Sequence, residues 1–120
     1  MPRKRRLKVV VRIINGLFEE EGIHGDCLAD DFDVNQRHYE FTIRLDYDPK
    51  DMHLMISTLA HELSHVKQYA IGQLRYDYSN SDVSIWEGKK FNSESMPYDK
   101  LPWEIDAVRS EKALMSIYNY

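Results

Sequence analysis

Polar and apolar positions alternate most regularly over residues 39–45, where Phe41, Ile43 and Leu45 are separated by Glu40, Thr42 and Arg44. A period of two puts the apolar set on one face, so this segment is expected to be a half-buried strand. Further along, the period lengthens. Met52, Met55, Ile56, Leu59, Leu63, Val66 and Ala70 recur at spacings of three and four, which predicts a helix with an apolar stripe turned to a core. Asp48 suits its N-cap and Pro49 its first position, Asp51 adds favourable charge to the first turn, and Gly72 offers a stop. Leu7, Val10, Val11, Ile14, Leu17 and Phe18 also follow helical spacing. A first helix is therefore expected over about residues 5–21, ended by Gly22, although the valine run also suits the start of a strand.

Weaker signals complete the outline. Residues 23–32 can hold a short strand, and Val83-Ser84-Ile85-Trp86 followed by Gly88-Lys89-Lys90-Phe91 reads as a hairpin or ordered loop within the polar stretch 74–100. A last helical segment runs from Leu101-Pro102-Trp103 toward the C-terminus. The expected class is α+β in one domain spanning residues 1–120, with an N-terminal helix, a small antiparallel sheet, a long central helix and a C-terminal helix.

Composition narrows the setting. A chain of 120 residues with 42% apolar and 30% charged residues is ordinary for a soluble globule with one core. No apolar run approaches the ~20 residues that span a membrane, and the basic start lacks the apolar region and cleavage site of a signal peptide. The one cysteine, Cys27, cannot form an internal disulfide and reads as a small buried residue, so a reducing cytoplasm is expected. The net charge of −4 hides a basic cluster, Arg3-Lys4-Arg5-Arg6 with Lys8. Such a cluster suits contact with nucleic acid, but no wider basic patch accompanies it, and residues 1–6 read as a flexible, solvated terminus.

The chemistry is concentrated at His61-Glu62-Leu63-Ser64-His65. Residues four apart on a helix lie one above the other, so both imidazoles can reach one metal ion with Glu62 beside them. A zinc ion there supplies a Lewis acid and an acidified water, and Glu62 is placed to take that water's proton. Thr58, His61, Glu62, His65 and Tyr69 fall largely opposite the apolar stripe, so the stripe can face a core while the histidines face a cleft. His24, His38 and His53 read as surface residues.

In this H-E-x-x-H segment the chain resembles the zincin metallopeptidases, whose extended motif also favours Thr58 before the first histidine and uncharged Leu59, Leu63, Ser64 and Val66 around the ligands; Lys67 departs from it. Metzincins carry glycine and a third histidine where this chain has Gln68 and Ile71, and His65 is the last histidine, which argues against a SprT-type ligand. The resemblance therefore points to the gluzincins, whose third ligand is a glutamate on a later helix, often followed three residues on by alanine, as Glu104 and Ala107 are here. Many gluzincins place an aspartate four residues after that glutamate, where this chain has Val108; Asp106 and Glu111 are candidates for the supporting position or for the ligand itself. The segments His65-Val66-Lys67-Gln68-Tyr69, Trp86 and Pro102-Trp103-Glu104 are also similar to small metallopeptidase-like proteins of bacteriophages and bacteria.

The resemblance implies a zinc peptidase with one Zn²⁺ held by His61, His65 and Glu104, Glu62 as general base, and a peptide or protein as substrate. Tyr98 and Tyr69 are candidate donors to the oxyanion. In zincins the strand before the motif helix often pairs with extended substrate, a role expected of residues 39–45. Tyr76, Tyr78, Trp86, Phe91 and Tyr98 either line the cleft or pack in a satellite core, with packing the commoner fate of such residues. A zincin-fold binding or regulatory protein with little turnover and a SprT-like protease acting near nucleic acid are the alternatives.

Overall fold

The alternation seen in the sequence sets the centre of the first layer. The computed structural model describes residues 6–31 and 38–118. Along the chain run β1 (Lys8–Ile14), α1 (Leu17–Glu21), β2 (Gly25–Ala29), β3 (Glu40–Asp46), α2 (Met52–Ala70), β4 (Leu74–Tyr76), β5 (Val83–Trp86), β6 (Lys89–Asn92) and α3 (Pro102–Tyr118), with a 3-10 turn at Tyr98–Lys100 before α3. Burial alternates along β3, with Phe41, Ile43 and Leu45 inward. Val66 of α2 packs on them, and Val9, Cys27, Ala29, Leu59 and Tyr69 surround this core. On the opposite face of β3, Arg44 binds Asp26 of β2 and, at 3.0 Å, Glu21 of α1.

β3 is the middle strand, with β1 parallel on one side and β2 antiparallel on the other. The first sheet is thus mixed rather than purely antiparallel. Since β3 is paired along both edges, it has no free edge for a substrate strand, contrary to expectation. Among the described residues, the strand beside α2 with an edge that no other strand pairs is β2. Its first residue, Gly25, packs so tightly that an added Cβ would lie 2.7 Å from Thr58 Cγ2 and 2.8 Å from the Arg44 carbonyl oxygen.

The second sheet, β4-β5-β6, is antiparallel. Its hairpin turns at Glu87-Gly88, with φ of 48° and 85°, as a two-residue turn with two left-handed residues requires. A second core joins Leu74, Leu101 and Trp103 to Trp86, Phe91 and Met96, so these two aromatics take the packing role, and Tyr69 contributes to both cores. The fully buried Ala107 lies on the α3 side that packs on α2.

The expected N-terminal helix is two elements. Val9, Val10, Val11, Ile13 and Ile14 are β-branched and pair with β3, and Gly16, at φ 85°, divides this strand from the short α1, which Gly22 ends. The central helix starts later than expected. Asp48-Pro49-Lys50-Asp51 forms a turn closed by the Asp51 amide on the Asp48 carbonyl (3.1 Å), with proline at its favoured second position, and Asp51 is the cap, accepting from the Leu54 amide at 2.9 Å. Met52 and Leu63 of the predicted stripe are exposed. His38, expected at the surface, is 2% exposed: its Nδ1–H donates to the Asp31 carbonyl at 2.8 Å and its Nε2 accepts from the Tyr78 hydroxyl at 3.3 Å. Residues 1–5, which hold most of the basic cluster, lie outside the described residues. Among those described, no helix is long and apolar enough to cross a membrane.

Candidate metal centre

α2 presents His61 and Glu62 on one turn and His65 on the next, and the first turn of α3 brings Glu104 to them. His61 Nε2 is 2.9 Å from Glu104 Oε1, and His65 Nε2 is 3.3 Å from Glu104 Oε2. One carboxylate therefore spans two imidazoles whose ring centroids are 5.0 Å apart. The ligand atoms of all three residues fall within 4.8 Å of one another, and the group could hold a metal ion. A tetrahedral ion with bonds of ~2.0–2.1 Å separates its donors by about 3.3 Å, a spacing the His65–Glu104 pair has and the whole group, with ligand atoms within 4.8 Å, would reach by side-chain adjustment.

A buried amide orients one of these imidazoles. Gln68 is 0% exposed, and its Nε2 lies 3.0 Å from the Trp103 carbonyl and 2.9 Å from Asp106 Oδ2. Both neighbours are acceptors, so the amide NH₂ must face them and Gln68 Oε1 must face His65 Nδ1, 2.8 Å away. His65 therefore keeps a proton on Nδ1; in the metal-free protein its Nε2–H also faces Glu104, and loss of that second proton would leave the Nε2 lone pair for a metal. The same amide ties α2 to the residue just before Glu104, so one side chain positions two members of the group. On the other side Glu111 accepts from His61 Nδ1 at 3.1 Å, which frees His61 Nε2 in the same way.

Each predicted residue can now be placed. Glu104 is in the three-residue group, whereas Asp106 reaches His65 only through Gln68 and Glu111 backs His61 directly. Tyr98 donates to Glu104 Oε1 at 2.7 Å. Tyr69 lines the neighbouring cavity and stacks on Tyr76 with centroids 4.9 Å apart. Val108, where a gluzincin often has aspartate, is exposed, as are His24 and His53. The motif spacing alone does not reveal Gln68 as a supporting residue. Its signal is a polar residue one helical turn after His65, within the register of buried positions.

The electrostatics follow from crowding these groups together. Burial alone would raise the Glu104 pKa, but hydrogen bonds from His61 and His65 hold it at about 2. The bond to Glu104 raises the His61 pKa, and for His65 the same partner outweighs burial, which acts the other way. Glu62 is raised by burial despite the nearby imidazoles, so its carboxylate is a better proton acceptor than an exposed one.

Two cavities meet at the group, sharing Gly25, Glu62 and Tyr98. The inner one, ≈230 Å³, reaches from His65 and Glu104 back to Cys27, Tyr69, Leu74 and Trp103. The outer one, ≈470 Å³, passes His61 toward His24, Leu54, Ser57, Thr58 and Glu111. Among known proteins, no family model, no curated protein and no solved structure matches the chain.

Proposed function

We propose that the protein is a zinc-dependent hydrolase of amide bonds, with peptides as its substrate class. The observation that carries this reading is a buried carboxylate, Glu62, beside a two-histidine, one-carboxylate group at the junction of an open cleft. Two imidazoles and a carboxylate are a donor set of catalytic zinc, whereas structural zinc sites are closed by four protein ligands and rich in cysteine. When bound, zinc supplies a Lewis acid that polarises a carbonyl and acidifies water.

The remaining work falls to side chains. Gln68 and Glu111 hold the imidazoles with Nε2 inward. Glu62 accepts the proton of the attacking water and returns it to the leaving amine, a role suited to its raised pKa. The Tyr98 hydroxyl, which donates to Glu104 Oε1, would have to turn from that bond to donate to the oxygen that gains charge when the carbonyl becomes tetrahedral; burial holds its pKa well above the ordinary phenol value, so it stays protonated. An extended peptide can add to the open edge of β2, whose residues Gly25 and Cys27 border the inner cavity.

Digestion of a peptide library by the zinc-loaded protein and its Glu62→Gln variant tests the reading. The amide keeps the size of the carboxylate but accepts no proton, so the variant should retain zinc and lose cleavage by at least ~10²-fold. Equal cleavage by both removes Glu62 from the role of base, and absence of cleavage by both turns the reading toward a binding protein.

A further inference from the structure

Among the described residues β1 pairs with no strand on its outer side, and the phase of its backbone bonds fixes what that edge offers. The Lys8 amide donates to the Tyr39 carbonyl at 2.7 Å, and the Ile14 carbonyl accepts from the Tyr47 amide at 2.9 Å. In the parallel ladder these bonds turn the amides and carbonyls of Lys8, Val10, Arg12 and Ile14 toward β3. The N–H and C=O groups of Val9, Val11 and Ile13 therefore point outward, a row that a further strand can pair.

Side chains along this edge are sorted by face. Val9 packs on the core beneath α2, so by alternation Val11 and Ile13 share that face, where they are 43% and 58% exposed. The other face carries Lys8 and Arg12 with Val10 between them, and Arg6 precedes the strand. Among the described residues, Arg6, Lys8 and Arg12 make no ion pair or side-chain hydrogen bond, whereas Arg44 on the same face of β3 is held by Asp26 and Glu21. Cations on an edge oppose a like-charged strand and favour one of opposite sign.

We propose that the outer edge of β1 is a docking site for an extended acidic segment of a protein partner, one in which apolar residues alternate with aspartate or glutamate. Added antiparallel, the segment pairs its backbone with Val9, Val11 and Ile13, lays its apolar side chains beside theirs, and sets its carboxylates opposite Lys8 and Arg12. Those opposed positions are the non-hydrogen-bonded pairs, where Cα atoms come within ~4.5 Å and side chains meet most closely. A second copy of the chain suits the edge less well. Its β1 repeats the positive charges, and on its acidic strand β2 Asp26 is bound to Arg44 and Asp30 accepts from the Thr42 hydroxyl. The strand order β1-β3-β2 also puts the docking edge across the sheet from β2 and the metal cleft, so a segment bound there leaves the cleft open.

The test uses fluorescein-labelled peptides of alternating valine and glutamate, of alternating valine and lysine, and of valines and glutamates in separate blocks. Chelator is present, so that no metal holds the carboxylates. By fluorescence anisotropy at low salt, the alternating glutamate peptide should bind the full chain about 10–100-fold more tightly than the lysine peptide, and more tightly than the block peptide. The double variant Lys8→Glu, Arg12→Glu changes only exposed side chains and should reverse that preference. Exchange of the Val9, Val11 and Ile13 amides should slow about 10-fold or more in the complex, while Val10 and Arg12, already bonded to β3, change less. Equal affinity for the glutamate and lysine peptides overturns the proposal, as does binding that leaves the three outward amides unchanged. A dimer in sedimentation whose outward amides are already slow gives the edge to a second copy, and displacement of the glutamate peptide by single-stranded DNA gives the cations to nucleic acid; either result overturns it as well. Should the double variant fail to fold, exchange of the three amides in the parent decides.

Discussion

At the interface of α2 and α3 polar side chains are buried, while along β1 apolar side chains are exposed. Gln68 is 0% exposed, yet Ile13 is 58% exposed. The two departures have different causes. Gln68 is tolerated inside because its carbonyl and its NH₂ find partners in His65, Trp103 and Asp106. Among the described residues no buried side-chain nitrogen or oxygen lacks a partner. Ile13 remains outside because β1 is an edge strand: α2 packs over β2 and β3, and the core takes in Val9 but leaves Val11 and Ile13 uncovered. A polar residue is thus inside where a site requires it, and an apolar one outside where the sheet runs past its helix.

The comparison is sharpest at Gln68. Gln68→Leu would strand the His65 Nδ1–H and the Trp103 carbonyl in the interior, and an unsatisfied buried group costs ~1–3 kcal/mol. The variant should lose about 2–4 kcal/mol of stability in urea denaturation, and its zinc affinity should fall about 10–100-fold as the His65 ring loses its support. Unchanged stability and affinity together would show that the amide is incidental to the interface.

A second, smaller effect comes from pH. In metal-free protein the His61 and His65 pKa values lie above their ordinary 6.5, so the stability they contribute is full below that value and lost as pH rises through the raised ones. Glu104, lowered from 4.5 to about 2, contributes fully above 4.5 and loses its share as pH falls toward 2. Glu62, raised by burial, adds to the loss on the alkaline side. Urea midpoints measured in chelator should therefore be highest between about pH 4.5 and 6.5. With saturating zinc the optimum should move upward, because ligation needs neutral imidazoles. A metal-free profile that rises steadily from pH 6 to 8 would contradict this ion-paired cluster.

The smallest change is expected on β1. Ile13→Thr keeps a β-branched residue at an exposed edge and should alter stability by no more than about 0.5 kcal/mol. A loss of several kcal/mol would mean that Ile13 is covered in solution and that the contrast with Gln68 is overstated.

These two regions also mark how much was legible in the chain itself. The alternation at Phe41, Ile43 and Leu45 and the i, i+4 spacing of His61 and His65 are local patterns, and the strand and the paired imidazoles appear where those patterns put them. Glu104 is expected only through the resemblance to gluzincins, as a glutamate on a later helix with Ala107 three residues on, and it joins the imidazoles. At β1 the sequence favours a helix while leaving a strand open, because Leu7, Val10, Val11 and Ile14 satisfy both a helical period and a strand apolar on two faces; only its pairing with β3 decides between them. Strand order is equally nonlocal, so the open edge of β2 could not be read from residues 23–32. The role of Gln68 is not legible in the sequence because its partners Trp103 and Asp106 lie 35 and 38 residues away.

The central claim is that His61, His65 and Glu104 together hold one zinc ion, and competitive zinc titration of the parent, Glu104→Ala and Asp106→Ala tests it most directly. The account predicts about one zinc per chain in the parent, a sharp loss of affinity in Glu104→Ala, and a drop of no more than ~10–100-fold in Asp106→Ala, which reaches the site only through Gln68. Parent-like affinity in Glu104→Ala, alongside a sharp loss in Asp106→Ala, would contradict it.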